Sequence, residues 1–235
     1  MSEPIPNGTP FHFGASYRVL DKYVKELVCQ IHPARVADIG AGAGKYGEIC
    51  REALGQNLYL LAVEGCQKTC SHLEGTKRYD RVICTLLQNW EISKEEPFDL
   101  IICGDVLEHL TRREVFRTID RFLRHAKSML VVVPLRNLEQ DEFEGNPLER
   151  HNAYLTEADF DKRYVIAEKH SVIQPTHHSL AIWILARRHD RLRDALKILL
   201  LKSGGHKMFK FFKKRGLSPE IEIDRWQSEI YRYRS

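Results

Sequence analysis

The chain has 235 residues, 43% of them hydrophobic and 29% charged, with a formal net charge of +4, so its length and composition fit a globular α/β domain with an appendage. The polar amino terminus lacks the apolar core of a secretory signal, and no apolar run approaches the ~20 residues of a membrane span. These features favour a cytoplasmic protein.

The six cysteines show no CxxC pair and no zinc-ligand spacing. Cys84 and Cys103 lie in apolar runs typical of strands. We therefore expect buried, reduced thiols, as is usual in the cytoplasm.

The first predicted elements are a helix and a strand. After Ser16, the apolar residues follow one helical stripe that Pro33 ends. The stripe consists of Leu20, Tyr23, Val24, Leu27, Val28 and Ile31. A strand over ARVADIG follows.

Strands and helices then alternate. Further strands are predicted over LYLLAVEG, RVICTLL, FDLIICGD and SMLVVVP, and helices over KYGEICREAL and Gln67–Leu73. Thr111 and Glu114 form a capping-box pattern before a third helix that starts near Arg112. Strands alternating with helices predict a doubly wound, mainly parallel sheet that binds ligands at the carboxyl ends of its strands.

A loop of some twenty residues follows the fifth strand and is long enough to suggest a function. Gly145 and Asn146 favour a turn within it. Thr156 and Asp159 then repeat the capping-box pattern, and VIAEK and LAIWILA complete a predicted seven-stranded sheet.

The glycine-rich stretch VADIGAGAGKYG, residues 36–47, directly follows the first predicted strand. A P-loop would need Ser or Thr after Lys45, where Tyr46 stands. A dinucleotide fingerprint needs GxGxxG, and here Gly44 comes one place early. The alternating glycines nevertheless indicate a backbone that passes close to a ligand.

Asp38, Gly40, Gly42 and Gly44 resemble motif I of the class I S-adenosylmethionine-dependent methyltransferases, an acidic residue followed by GxGxG. The resemblance covers about residues 11–186 and implies a Rossmann-like fold and S-adenosylmethionine as cofactor. An acidic residue at the strand end suits the ammonium of the methionine moiety.

The resemblance also implies the rest of the cofactor site. Glu64 ends the second strand, where a carboxylate can accept both ribose hydroxyls. Thr85 and Leu86 stand where the family contacts adenine, although the family often has an acid there, and GDVLEHL resembles motif IV. The implied cofactor-binding residues are Asp38, Gly40, Ala41, Gly42, Glu64, Gly65, Thr85, Leu86, Gly104 and Asp105.

Two histidines are candidate catalytic residues, because a hydroxyl acceptor must lose a proton during methyl transfer. His109 follows the fourth strand and should lie at the pocket rim. His151 lies in the long loop, which we expect to bring it back to the acceptor side as a candidate general base. Asp105, Glu108, His109 and His151 together offer the oxygen and nitrogen ligands of a cation site. RNA 3′-terminal 2′-O-methyltransferases and some quinone-pathway O-methyltransferases place an acid and then Glu-His in this same motif, although the first acid here is Asp105. No further histidine pair surrounds His151, and we expect no catalytic metal.

The GDVLEHL block and the following loop also resemble an uncharacterised subfamily of bacterial methyltransferases, some encoded among genes for surface polysaccharides or natural products. This resemblance suggests biosynthetic O-methylation of a sugar or another small molecule. Two alternatives stay open: an RNA methyltransferase, against which the acidic body argues, and a non-catalytic cofactor-binding scaffold.

Charge divides the chain: residues 187–215 carry eleven Lys or Arg and two Asp, a net +9. We predict a mobile arm over 1–15, a methyltransferase domain over 16–186 and a basic helical extension over 187–235. The extension contains HKMFKFFKKRG, which suits a lid or homodimer-contact helix, an anionic membrane surface, or phosphates. A nucleic-acid partner is the least favoured of these because the body is acidic.

Overall fold

The computed structural model describes residues 18–135, 140–141, 147–161, 164–173 and 179–186. The predicted arm over 1–15 and basic extension over 187–235 lie outside these residues, as do Gly145 and Asn146. Within the described part of the chain, no helix is long and apolar enough to cross a membrane.

Strands and helices alternate along the chain, as the sequence predicts. The strands are β1 (Arg35–Ile39), β2 (Tyr59–Glu64), β3 (Arg81–Cys84), β4 (Phe98–Gly104), β5 (Ala126–Leu135), β6 (Val165–Ile173) and β7 (Ser179–Ala186). The α-helices are α1 (Asp21–Ile31), α2 (Lys45–Leu54), α3 (Gln67–Thr76), α4 (Arg112–Phe122) and α5 (Glu157–Asp161). Single 3₁₀ turns span Arg18–Leu20, Ile92–Lys94, Leu107–His109 and Pro147–Glu149.

The sheet has the order β3-β2-β1-β4-β5-β7-β6, in which the first five strands are parallel. The last two pair antiparallel, β7 with β5 and β6 with β7. The predicted α/β fold with a parallel sheet is therefore confirmed. The strand order reverses between β1 and β4, and such a switch point is where sheets of this type bind ligands.

Alternate residues of the parallel strands enter two separate apolar cores, one on each face of the sheet. Ile39 and Ile101 pack with α4 residues such as Phe122 on one face. Val36 and Leu100, on the same strands, pack with α1 and α2 on the other. Both faces are thus covered, which explains why β1, β2 and β4 read as continuous apolar runs.

The local capping signals are also confirmed. The Thr111 backbone amide donates to Glu114 Oε2 over 2.9 Å at the start of α4, and the Thr156 amide donates to Asp159 Oδ2 over 2.7 Å at the start of α5. The first helix buries Val24, Leu27 and Val28, members of the predicted stripe, but as an α-helix it begins only at Asp21, after the 3₁₀ turn.

Strand β3 is shorter than the sequence predicts. It ends at Cys84, because the chain turns immediately afterwards and the Asn89 amide donates to the Leu86 carbonyl. Thr85 and Leu86 thereby leave the sheet and lie at its edge.

The expectation that all cysteines are reduced, buried thiols is wrong for one pair, because Cys70 and Cys84 form a disulfide. Packing of α3 against β3 brings their Cα atoms to 5.8 Å, within the range that a disulfide spans. Cys50 and Cys103 are free and buried, as expected, whereas Cys29 is free and exposed.

Candidate functional site

The carboxyl ends of β1 to β4 bring the sequence-predicted residues to one edge of the sheet. The Gly40 amide donates to the Val63 carbonyl, the Thr85 amide to Glu64, and the Asp105 amide to Val132, each over 2.8–2.9 Å. The glycine loop, the end of β2, the Thr85–Leu86 turn and the end of β4 therefore surround a common region.

The glycine loop needs its glycines for conformational and steric reasons. Gly40, Gly42 and Gly44 have φ values of 63°, 51° and 82°, a region that other residues rarely adopt. A Cβ atom on Gly40 would lie 2.5 Å from Cγ2 of Val106, which follows β4. The loop backbone thus passes directly beside the end of β4, and this close approach forms one wall of the site.

Asp38 is completely buried at the foot of this loop. Its Oδ2 accepts a hydrogen bond from the Tyr79 hydroxyl over 2.6 Å, whereas its buried Oδ1 meets no donor among the described residues. Burial raises the pKa of Asp38 to about 6, although the Tyr79 hydrogen bond lowers it. A buried acceptor without a donor fits a cationic ligand group such as an ammonium.

Glu64 connects the second strand to the glycine loop. Its Oε2 accepts from the Gly42 amide over 3.0 Å, and its Oε1 accepts from the Cys66 amide over 2.9 Å. Each carboxylate oxygen has a second lone pair, so the side chain can still accept from a diol. The carboxylate therefore orders the loop and keeps lone pairs for further donors.

Lys45 does not have the position of a P-loop lysine. Its Nζ lies 3.3 Å from Asp21 Oδ1 on α1 and 4.3 Å from the centre of the Tyr46 ring. The lysine is engaged by the first helix on one face of the sheet, which agrees with the sequence argument against a P-loop.

The backbone at the end of β4 is sterically constrained, like that of the glycine loop. A Cβ atom on Gly104 would lie 1.9 Å from Cε2 of the buried Tyr46, so no side chain fits there. The next residue, Asp105, has φ 51° although it is not a glycine. Such backbone strain is typical of functional sites, where the surrounding structure holds a residue in an unfavourable conformation.

Glu108, His109 and His151 form what we call the acceptor-side cluster. One ligand atom from each of the three lies within 4.8 Å of those of the other two, and the imidazole centroids are 5.1 Å apart. Glu108 and His109 belong to the 3₁₀ turn after β4, whereas His151 comes from the loop after β5. The sequence does not say how close these two segments lie in space, and only the fold brings the two histidines together.

Backbone hydrogen bonds dock the loop onto the end of β4. The amides of Asn152 and Ala153 both donate to the Glu108 carbonyl, over 2.8 and 2.9 Å. The Asn152 side chain also donates to the His109 carbonyl over 2.8 Å. Sequence analysis missed Asn152, although it stands next to His151 in the loop singled out for its length.

The acceptor-side cluster favours neutral side chains in this structure. Burial lowers the pKa of His109 below its usual value, which hydrogen bonding to backbone carbonyls partly offsets. Burial, and then the charge of Asp105, raise the pKa of Glu108 well above its usual range. Burial and the nearby charge of Glu64 likewise raise the pKa of Glu149, whereas His151 lowers it.

Two exposed leucines lie at the mouth of the site. Leu86 is 38% exposed and Leu148 is 40% exposed. A Cβ atom on Gly65 would lie 3.0 Å from Leu86 Cδ2 and 3.3 Å from Leu148 Cδ1, so both side chains border Gly65. Leu148 was not predicted from the sequence, because it reaches this position only through the docked loop.

Two further residues missed by sequence analysis brace the glycine loop from beneath. The Arg78 guanidinium donates to the Gly44 carbonyl over 2.8 Å. A Cβ atom on Gly47 would lie 2.3 Å from the Tyr79 hydroxyl, so this glycine leaves room for the phenol that binds Asp38. No local pattern in the sequence indicates these contacts.

Comparisons with known proteins agree with this geometry. Residues 37–131 match the model of a family described as a methyltransferase domain. No curated protein is found to match the chain.

Several solved structures share the fold. The N-terminal domain of EvdMO1, crystallised in the presence of SAH and D-fucose, is 13% identical with a TM-score of 0.54, and the match covers 79% of this chain and 92% of that one. Magnesium protoporphyrin IX methyltransferase (ChlM) from Synechocystis PCC 6803, with bound SAM, is 14% identical with a TM-score of 0.51, covering 71% and 79%. An O-methyltransferase family protein from Burkholderia thailandensis is 14% identical with a TM-score of 0.53, covering 72% and 56%.

Proposed function

We propose that this chain is a class I S-adenosylmethionine-dependent methyltransferase that methylates a hydroxyl oxygen of a small molecule, with sugars and natural-product precursors as the acceptor class. The observation that carries the proposal is the acceptor-side cluster. It puts two histidines beside the end of β4, at the edge where the cofactor-binding motifs meet. A hydroxyl acceptor needs such a base more than an unprotonated amine does.

The described residues fit S-adenosylmethionine, which supplies a methyl group on a sulfonium that is activated for displacement. We propose that Glu64 accepts hydrogen bonds from the ribose hydroxyls and that Asp38 pairs with the ammonium. Gly40, Ala41 and Gly42 let the loop backbone approach the ligand. The backbone of Gly104 and Asp105 lines the methionine side.

The proposed adenine position lies at the ends of β2 and β3. Thr85, Leu86 and Gly65 stand at the ends of β2 and β3, and Leu148 adds a second apolar side chain beside Gly65. We propose that the two leucines pack on the adenine ring, whose flat apolar faces would cover their exposed surface.

On the acceptor side, we propose that His151 and His109 activate the hydroxyl. The acceptor oxygen must be aligned with the methyl group and must lose its proton as the new bond forms. The docked loop holds His151 beside the turn that follows β4. EvdMO1 was crystallised in the presence of D-fucose, which supports a sugar acceptor by analogy alone.

We propose a seven-stranded methyltransferase domain over 16–186, followed by a basic helical extension that contacts an anionic surface or a second copy of the chain. Homodimerisation and peripheral membrane contact are tested by light scattering and by sedimentation with anionic vesicles.

The test is transfer of a labelled methyl group from S-adenosylmethionine to a panel of sugar nucleotides, phenols, amines and total RNA, with calorimetry of S-adenosylhomocysteine in parallel. Label in a hydroxyl-bearing small molecule supports the proposal. Label confined to RNA would support the alternative RNA methyltransferase. Tight cofactor binding without transfer to any cellular extract would support a scaffold.

A further inference from the structure

The acceptor-side cluster has the composition of a cation site: one carboxylate and two imidazoles. We propose that Glu108, His109 and His151 bind a divalent first-row metal ion that holds and activates the acceptor oxygen. The three ligand atoms all lie within 4.8 Å of one another. Ligand atoms about 2.1 Å from a cation stand roughly 3–3.5 Å apart, so small side-chain rotations are enough to close the set.

Glu108 gives independent support for a ligand. Its side chain is buried, with the residue only 3% exposed, and its Oε2 has no hydrogen-bond donor among the described residues. A buried carboxylate oxygen without a donor is costly, and buried carboxylates are usually paired or bound to a metal. Two histidines stand beside it.

The hydrogen bonding of His109 presents the correct nitrogen. Its Nδ1 lies 3.2 Å from the Arg150 carbonyl oxygen, which can only accept, so Nδ1 carries the proton of the neutral ring. The lone pair is therefore on Nε2, which lies 4.0 Å from Glu149 Oε2. A backbone carbonyl that orients the second nitrogen in this way is the usual support of a metal-binding histidine.

The cluster is also held in advance of binding. His151 is anchored by its amide, which donates to the Gln140 carbonyl, and the adjacent Asn152 and Ala153 amides bind the Glu108 carbonyl. Ligands from two segments, distant in sequence, are thus fixed relative to each other. A site built in this way loses little conformational entropy when it binds an ion.

The mixed donor set indicates which ions fit. Imidazole suits Fe²⁺, Ni²⁺, Cu²⁺ and Zn²⁺, and the carboxylate also suits Mn²⁺, whereas Mg²⁺ prefers oxygen ligands throughout. Glu149, near the His109 ring, is placed to contribute a further oxygen. We therefore expect Mn²⁺ and Zn²⁺ to bind more tightly than Mg²⁺.

The role of the ion rests on the proposed function. An acceptor hydroxyl bound to a divalent cation has a lowered pKa and releases its proton to water. The oxygen then forms a bond to the methyl carbon, and the carbon–sulfur bond breaks with its electron pair returning to sulfur. His151 acts in this reaction as a ligand in place of the general base expected from the sequence.

Mn²⁺ binding is the direct test, measured by electron paramagnetic resonance and calorimetry on the full chain after treatment with a chelator. We expect one Mn²⁺ per chain and at least tenfold weaker binding in Glu108→Gln and His151→Ala. His125→Ala is the matched control, because His125 also bonds a backbone carbonyl through Nδ1, that of Arg121, but lies outside the cluster. Its Mn²⁺ affinity should equal that of the wild type.

Binding of S-adenosylhomocysteine separates this proposal from the proposed function. If the wild type binds S-adenosylhomocysteine but neither Mn²⁺ nor Zn²⁺, and methylation persists in chelator, the cation site is refuted and the methyltransferase stands. Equal Mn²⁺ affinity in wild type and His151→Ala would also refute the site. Mn²⁺ binding without S-adenosylhomocysteine binding would refute the cofactor assignment and leave the cation site intact.

Discussion

Replacing Glu64 with alanine tests the link between the cofactor and the glycine loop. The mutation removes a carboxylate that accepts from the backbone amides of Gly42 and Cys66 and, in our proposal, from the ribose. Losing charge-assisted hydrogen bonds to a ligand costs about 1.5–3 kcal/mol, or roughly ten- to a hundredfold in affinity. The two amides also lose their acceptor, so we expect the unliganded protein to unfold about 1–3 kcal/mol more easily.

Two measurements separate these effects. Calorimetry with S-adenosylhomocysteine gives the affinity, and urea denaturation of the unliganded protein gives the free energy of unfolding. Glu74→Ala is the control, since it removes an exposed carboxylate from the neighbouring helix α3 and should leave the affinity unchanged. A folded Glu64→Ala protein with wild-type affinity would refute the ribose assignment, and reduced stability alone would limit Glu64 to bracing the loop.

Three further predictions follow from the buried groups and the acceptor-side cluster. The pKa of Asp38 is about 6 in the folded protein and about 3.9 in the unfolded chain, so the free energy of unfolding of the wild type falls as pH rises between these values. In urea denaturation, Asp38→Asn should therefore be more stable than the wild type by about 3 kcal/mol at pH 8 and about equally stable near pH 4, and a difference that does not change with pH would contradict this. His151→Ala should lower turnover by about 10²–10⁴ with nearly normal S-adenosylhomocysteine affinity, whereas His109→Ala should weaken both; near-normal turnover would reduce His151 to shaping the pocket. Gly104→Ala places a Cβ atom against Tyr46 and should lower the free energy of unfolding in urea by about 1–3 kcal/mol. Gly75→Ala, in helix α3 where a Cβ atom meets nothing, should raise it by about 0.5–1 kcal/mol, and equal effects of the two substitutions would refute the steric argument.

The sequence by itself determined the features that depend on near neighbours. The capping boxes at Thr111 and Thr156 join residues three positions apart, and the first helix shows its apolar stripe directly. The glycine loop, the acid ending β2 and the segment after β4 appear in chain order. Parallel strands place their carboxyl ends at one edge, so this order was enough to predict that these segments gather there.

Only the tertiary structure decided which distant segments meet. Tyr79 bonds Asp38 across 41 residues, and Cys70 reaches Cys84 because α3 packs on β3. The clustering of His151 with Glu108 depends on two backbone amides that dock the long loop on the end of β4. Such contacts arise from the packing of whole helices and strands against each other. Hydrophobic periodicity relates only residues a few positions apart, so it cannot predict the spatial distance between segments far apart in the chain.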